Sequence, residues 1–363
     1  MGSRVLIVIT TDFVGCGGLT TVVMNYLRNM SLDGLTIDIA STNKPLSEDI
    51  AYKDIINMGC HYYCLGSKKR NPILYVQTLK KLLIRNQYDI IHVHGNSSTM
   101  ALELSIAKRC GVKKRISHGH TTRSNYPLVN FLLKPLFRRS YTDAIAVSND
   151  CGKWLYGDQY VVYNNAIDLD KFAYNIQARK EIREELNIPE KCFVIGTVGK
   201  LNANKNHMFL IDVFSKYLIM NKKACLVIVG GGAEEQKLKM KCNKLGIGDH
   251  VMFLGMRNDI SNILSAFDAF VFTSKFEGLG MVLVEAQANG LPCISSDCVP
   301  KETNVTNYIR YLSLNDDPLV WCQAIADAEC WNRQEAAIHA NEKITKSGFN
   351  IKREAYKLKE IYK

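Results

Sequence analysis

Short β-branched runs alternate with amphipathic stretches along the chain. In the first half, Val5–Ile9, Thr36–Ala40, Ile90–Val93, Lys114–Ser117 and Ala144–Val147 predict strands, with helical spacing between them, as in Leu19–Met30 and Ile73–Arg85. Continuous apolar runs suit strands covered on both faces, and the intervening helices make the crossovers, so the pattern predicts a parallel sheet. The rhythm then restarts. Phe193–Val198, Ala224–Val229, Val251–Leu254, Ala269–Phe272 and Pro292–Ser295 predict further strands, separated by helices near Met208–Met220, Glu234–Leu245, Ile260–Ala266 and Met281–Asn289. Two successive rhythms imply an α/β protein of two doubly wound domains. The join falls in the polar stretch between Asp168 and Lys191, which places a first domain at 1–168 and a second at 169–349. Residues 350–363 are helical in pattern; their spacing does not say where they dock, and packing back on the first domain is the arrangement considered. Ligands of open parallel sheets bind beyond the carboxyl ends of the strands, so two sheets facing one another would share a central cleft.

Length agrees with two domains, since 363 residues exceed what one core usually organises. No apolar run approaches the roughly 20 residues of a spanning helix, and Val5–Ile9 is too short for a secretory h-region. The twelve cysteines are scattered, several inside apolar runs, which fits a reduced, cytoplasmic protein better than a disulfide scaffold. Cys60 and Cys64, with His61 between them, lack the second ligand pair of a zinc site. The formal charge is +11, and it is uneven: residues 1–165 hold 20 Lys and Arg against 11 Asp and Glu, residues 166–363 hold 26 against 24. A basic half points to an anionic partner or, more simply, to a solvated surface.

The segment Phe270–Pro292 carries the most chemistry. A strand ends near Ser274, a loop holds Glu277, Gly278 and Gly280, and a helix containing Glu285 begins near Met281. Glycines there let a ligand approach backbone N–H groups at the positive end of a helix. A loop carboxylate beside them can accept hydrogen bonds from sugar hydroxyls, and one a turn into the helix can bridge a ribose cis-diol. The bland reading is an ordinary strand-to-helix turn with exposed glutamates.

With seven residues between the two glutamates, this segment resembles the E-x7-E signature of retaining glycosyltransferases of family 4, which have the glycosyltransferase-B fold. Other motifs follow in the family's order: Gly15-Cys-Gly-Gly-Leu-Thr-Thr, Asn164-Asn-Ala-Ile-Asp168…Phe172, Gly199-Lys-Leu…Lys205, Gly230-Gly-Gly and Leu254-Gly255. Ser117-His-Gly-His120 and Asn165-Ala166 look closest to capsular and exopolysaccharide branches. The resemblance implies two Rossmann-like domains and transfer of a sugar, with retention, from a UDP- or GDP-linked donor. The acceptor would be a saccharide, lipid-linked, in capsular or exopolysaccharide synthesis. It implies no cofactor and no required metal, the nucleotide sugar being a substrate.

Carried over residue by residue, Glu285 would hold the ribose and Glu277 the sugar hydroxyls. N–H groups around Gly278, Leu279 and Gly280 would reach the sugar and distal phosphate, and Lys205 the diphosphate. Lys200 stands where the family more often has arginine; it keeps the charge and loses the bidentate fork. Gly17 and Gly18 would let the acceptor-side domain approach the donor. That loop is not the dinucleotide fingerprint, because Thr20 stands where its third glycine would be. His120 aligns best with the family histidine near the donor sugar, so His120, Glu277 and Lys205 are the catalytic candidates. His118 is second choice, His94 borders the acceptor side or is structural like His92, and Asn258 lies in the stretch Met256–Asn258 expected beside the base. Asp168-Leu-Asp170 could be a metal-binding D-x-D pair, yet the family has an aspartate in that junction anyway.

Leu128–Arg139 combines an apolar stripe with terminal arginines. Core packing is the favoured expectation; the alternative is a face that meets an anionic membrane, with Lys68-Lys-Arg70, Lys80-Lys81 and Lys113-Lys-Arg115 contributing. The reading at this point is a cytoplasmic transferase, peripheral at the inner face of the cell membrane, that binds no nucleic acid: no RNP-type motif or zinc finger appears. A sugar-nucleotide epimerase of the same architecture, or a noncatalytic nucleotide- or anion-binding protein, are the rival readings.

Overall fold

Val5, Leu6, Val8 and Ile9 have no exposed surface. The strand they form, β1 (Ser3–Ile9), lies inside a seven-stranded sheet. In this computed structural model, which describes all residues except Met1, Cys16 and Asn125, the chain divides into two compact units. Cys16, part of the early glycine loop, therefore lies outside the described residues. The first unit comprises Met1–Ala166 and Gly348–Lys363, the second Ile167–Ser347.

The first unit continues with β2 (Leu35–Ser41), β3 (His61–Cys64), β4 (Ile90–Gly95), β5 (Lys114–Gly119), β6 (Asp143–Ala146) and β7 (Val161–Val162), in the order β3-β2-β1-β4-β5-β6-β7. The second unit has β8 (Phe193–Val198), β9 (Ala224–Val229), β10 (Val251–Gly255), β11 (Ala269–Phe272), β12 (Cys293–Ser296) and β13 (Ile309–Leu312), in the order β10-β9-β8-β11-β12-β13. Every pairing is parallel. The strand order reverses between β1 and β4 in one unit and between β8 and β11 in the other, so each sheet has one switch point where the loops leave in opposite directions.

Strands β3, β7 and β13 were not expected from the apolar pattern. All three lie at or beside a sheet edge with half-exposed residues, so they lack the apolar run that marks a central strand. The terminal helix, Ile351–Tyr362, buries Ile351, Ala355, Leu358 and Tyr362 along one stripe. That stripe joins the core of the first unit with Val5, Ile7 and Tyr26, and the helix packs on helix Gly18–Arg28.

The core-packing expectation for residues 128–139 is corrected. Helix Pro127–Arg138 rests on the turn Ser98–Met100, where Asn130 accepts from the Ser98 N–H at 2.8 Å. Of its large apolar residues only Phe137 is buried, while Leu128, Phe131 and Leu132 are 71%, 73% and 65% exposed. Three residues of the basic clusters are engaged within the unit. Lys68 is bound to the buried Glu103 at 2.6 Å, Lys114 donates to the Ile361 carbonyl, and Arg115 donates to the carbonyls of Ser140, Val112 and Lys113. These side chains hold the unit together.

All eleven described cysteines are free thiols. Cys60 is buried and Cys64 exposed, and His61 between them faces Asp38 at 3.1 Å.

Candidate functional site

At the switch point of the second unit, the loops after β8 and β11 are tied together. Lys275 donates its N–H to the Asn204 carbonyl at 2.8 Å, Asn204 Nδ2 donates to the Phe276 carbonyl at 2.7 Å, and Thr273 Oγ1 donates to the Lys205 carbonyl at 3.1 Å. These bonds set two side chains face to face. Lys205 Nζ lies 2.6 Å from Glu277 Oε1, with 19% and 13% of the side chains exposed. Glu277 also accepts from Ser274 Oγ, and the ammonium stands 4.6 Å over the Phe272 ring. An ion pair this sheltered is only weakly screened by solvent.

The loop after β9 closes on the same place. Gly230 has φ 130°, and a Cβ there would sit 2.0 Å from the Gly199 carbonyl; at Gly232 a Cβ would meet the Leu201 carbonyl at 2.3 Å. Only glycine permits so close an approach of the two loops. Gly280, at φ 80°, turns the chain into helix Met281–Ala288, and Thr303 Oγ1 holds the Leu279 carbonyl at 2.5 Å. A Cβ at Gly278 would enter open space. Lys200 is exposed, as are Met256 and Asn258 beyond β10.

Glu285 lies in the second turn of helix Met281–Ala288. The residue is partly covered, and the burial around its carboxyl pushes it up to about 7 against the opposing pull of Lys171. Asp168 is a helix cap: its Oδ1 accepts the N–H groups of Asp170 and Lys171 at 3.0 and 3.2 Å. This engagement disfavours the D-x-D reading. His207, two residues after Lys205, is buried and pushed down to about 4 by burial and then by the Lys205 charge, so it adds no second cation there.

In the first unit, the loop after β1 is pinned by the Gly17 N–H to the Val14 carbonyl at 2.7 Å and by the Val14 N–H to the buried Thr20 Oγ1 at 3.3 Å. Thr20, which breaks the dinucleotide pattern, thus braces the loop. A Cβ at Gly18 would meet nothing within 4 Å. Across the switch point, Thr10 donates its N–H to the His94 carbonyl at 3.0 Å.

His94 and His118 are register partners on β4 and β5, and with His92 and His120 they form one stack of rings, neighbouring centroids lying 4.2–5.3 Å apart. His92 Nδ1 meets Tyr362 Oη at 2.6 Å, His92 Nε2 meets His118 Nδ1 at 3.2 Å, and His94 Nδ1 meets His120 Nε2 at 2.9 Å. Burial drives His92 and His120 down to about 3 and holds His94 and His118 well below the usual imidazole range. All four rings are therefore neutral at neutral pH.

Sequence reasoning singled out Lys205, Glu277 and the histidines but missed Ser274, Phe272 and Tyr362. Ser274 and Phe272 stand beside the glutamate loop and carry no motif of their own; Tyr362 is 270 residues from its partner His92.

A family model described as "Glycosyltransferase Family 4" matches residues 16–171, and one described as "Glycosyl transferases group 1" matches residues 178–329. The EpsF protein of Bacillus subtilis (strain 168) is 28% identical over 362 residues, spanning 95% of this chain and 93% of its own. The UDP-Gal:alpha-D-GlcNAc-diphosphoundecaprenol alpha-1,3-galactosyltransferase of Escherichia coli is 32% identical over 306 residues, 78% of each chain. Anabaena Alr3699/HepE, solved in complex with UDP, superposes with a TM-score of 0.80 at 16% identity over 99% of both chains. The same protein with UDP-glucose gives 0.73 at 17% identity over 98% of both. These two likenesses show the fold, the pair of Rossmann-like domains of the glycosyltransferase-B architecture. Among the described residues, no helix is long and apolar enough to cross a membrane.

Proposed function

The chain belongs to the family 4, or group 1, glycosyltransferases, and from that premise we propose that it moves a sugar, with retention, from a uridine-diphosphate donor to a lipid-linked saccharide in capsular or exopolysaccharide synthesis. The observation that carries this reading is the Lys205–Glu277 pair at the switch point. In a nucleotide sugar the hexose and the diphosphate are adjacent, so one ligand can take a hydroxyl to Glu277 and a phosphate oxygen to Lys205 at once. The E. coli relative's name specifies a UDP-linked donor and a diphosphoundecaprenol-linked acceptor, and the Anabaena protein was solved with UDP and with UDP-glucose, which supports the uridine class.

In this proposal the second unit binds the donor. Glu285 takes the ribose diol, Asn258 stands beside the base, and the N–H groups from Gly278 to Gly280 reach the sugar and distal phosphate. The C1–O bond to phosphate breaks as negative charge grows on the diphosphate, and the fixed Lys205 ammonium, with Lys200 as a second cation, stabilises that charge. The acceptor oxygen bonds to C1 on the face the diphosphate leaves. Its proton passes to the departing phosphate oxygen, so Glu277 need not act as a base. We assign the acceptor to the first unit, with Gly17, Gly18 and the neutral His120 as its candidate residues. His94 and His118 hold His120 in place.

A thermal-shift panel of UDP-, GDP- and ADP-sugars tests the donor class. The UDP-sugar should raise the melting temperature with concentration, by an amount equivalent to about 2.7 kcal/mol at 100 times Kd. A flat response to all three would refute the reading. Product analysis with donor alone and with donor plus acceptor separates transfer from epimerisation.

We further infer that the first unit docks on an anionic membrane at the cytoplasmic face, through helix Pro127–Arg138. Its exposed Leu128, Phe131 and Leu132 are followed by the exposed Arg138 and Arg139. At its start Lys69 lies 5.6 Å over the Tyr126 ring, beside exposed Arg70, Ile73 and Leu74. Apolar side chains ringed by cations suit the headgroup boundary, where each cation contributes about 1 kcal/mol. Reversing Arg138 and Arg139 to Glu should weaken binding to phosphatidylglycerol vesicles about tenfold or more, and Phe131→Asp should weaken it at any salt concentration. Binding that survives both changes would sink the idea.

A further inference from the structure

The histidine stack offers more than a partner for the sugar. His92 and His94 project to the same face of β4, and His118 projects to that face of the neighbouring β5. They are 0%, 3% and 1% exposed, and one nitrogen from each lies within 4.8 Å of the other two. A buried cluster of this kind normally satisfies every polar atom. Here His118 Nε2 and His120 Nδ1 are both buried without a hydrogen-bond partner.

One pair of these nitrogens already has the spacing of a cation's ligands. Zinc–imidazole bonds of about 2.0–2.1 Å in a tetrahedron place ligand nitrogens about 3.3 Å apart. His92 Nε2 and His118 Nδ1 stand 3.2 Å apart. Two nitrogens at that distance can share one proton or one metal ion. On the far edge of the His92 ring, Tyr362 Oη engages Nδ1 at 2.6 Å, the kind of outer partner that fixes a ligating imidazole so that its other nitrogen faces the ion.

We propose that His92, His94 and His118 form a binding site for one divalent transition-metal ion of the zinc class. Three neutral imidazoles with no carboxylate or thiolate select borderline ions such as Zn²⁺ and Co²⁺ over Mg²⁺ or Ca²⁺. The site belongs to the first unit, and no step of sugar transfer is routed through it.

The test uses the full chain without a histidine tag, stripped with chelator and dialysed. Titrated with Co²⁺, it should develop the visible absorption of a low-coordinate, nitrogen-ligated ion at one equivalent, and Zn²⁺ should abolish that band. His94→Gln and His118→Gln should each weaken binding at least tenfold, the scale of ligand-shell losses. His61→Gln, at a side chain 73% exposed, should leave it unchanged. Because these core variants can also disturb folding, X-ray absorption of the Zn²⁺-loaded parent supplies a second readout, with imidazole scattering from about three nitrogens near 2.0–2.1 Å. Absence of the Co²⁺ band in the parent, its persistence in both folded core variants, its loss in His61→Gln, or a zinc shell without imidazole scattering would each overturn the site.

Discussion

Replacing Lys205 by Ala should lower kcat for sugar transfer about 10²–10³-fold, or roughly 3–4 kcal/mol of transition-state stabilisation. The size follows from where the ammonium sits. Its side chain is only 19% exposed, it is held over the Phe272 ring, and the loop that carries it is tied to the loop after β11. A cation positioned before the reaction costs no reorganisation when charge develops on the leaving diphosphate. Lys205→Arg should recover only part of the rate, because a longer, planar guanidinium spreads its charge and cannot put it where the compact ammonium meets Glu277. The ion pair itself gives the control. Lys205→Ala leaves the Glu277 carboxylate sheltered without its cation, which costs stability as well as rate. The double variant Lys205→Ala/Glu277→Ala removes both charges, so it should regain melting temperature while activity stays lost. Single variants that turned over donor and acceptor as fast as the parent would remove both residues from the site.

That pair also shows what the sequence made legible. The two residues stand in motifs with recognisable spacing, and the strands before them, β8 and β11, are buried runs that any periodicity analysis finds. Their mutual contact spans 72 residues and rests on the bonds that tie the loops after β8 and β11, Thr273 Oγ1 to the Lys205 carbonyl and the Lys275 N–H to the Asn204 carbonyl; spacing along the chain carries no such information. The histidines were legible one by one but not as a stack, since register between β4 and β5 decides which rings meet. Helix Pro127–Arg138 taught the opposite lesson. An apolar stripe says that a helix has a face needing cover, not what covers it, and here protein covers little beyond Phe137. The terminal helix has the same kind of stripe, and it is filled by the first unit's own core. The edge strands β3, β7 and β13 escaped because they lack a continuous buried apolar run.

Glu285 should make donor binding depend on pH in a direction opposite to its effect on stability. Its carboxyl is raised from 4.5 to about 7 in the free protein, and a ribose diol donates hydrogen bonds, so the ionised form is the one that binds. Affinity for a UDP-sugar, whose diphosphate does not titrate near neutrality, should therefore rise with pH, approaching tenfold per unit well below 7 and flattening above it. Binding near neutrality should release a proton. Glu285→Gln should bind more weakly above about pH 8 and show a flat profile. Stability runs the other way. A carboxyl whose folded value lies above its unfolded one keeps its proton on folding, so its contribution is fully present below about 4.5 and is lost as pH rises through about 7. The loss amounts to at most about 3 kcal/mol, and Glu285→Gln should escape it, melting higher than the parent above neutrality while binding donor less well. A residue that destabilises the free protein at the pH where it works is what a binding site requires and a merely structural glutamate does not. Calorimetry across that range, on parent and variant, decides between them: a pH-independent affinity in the parent would return Glu285 to the helix surface as an ordinary side chain.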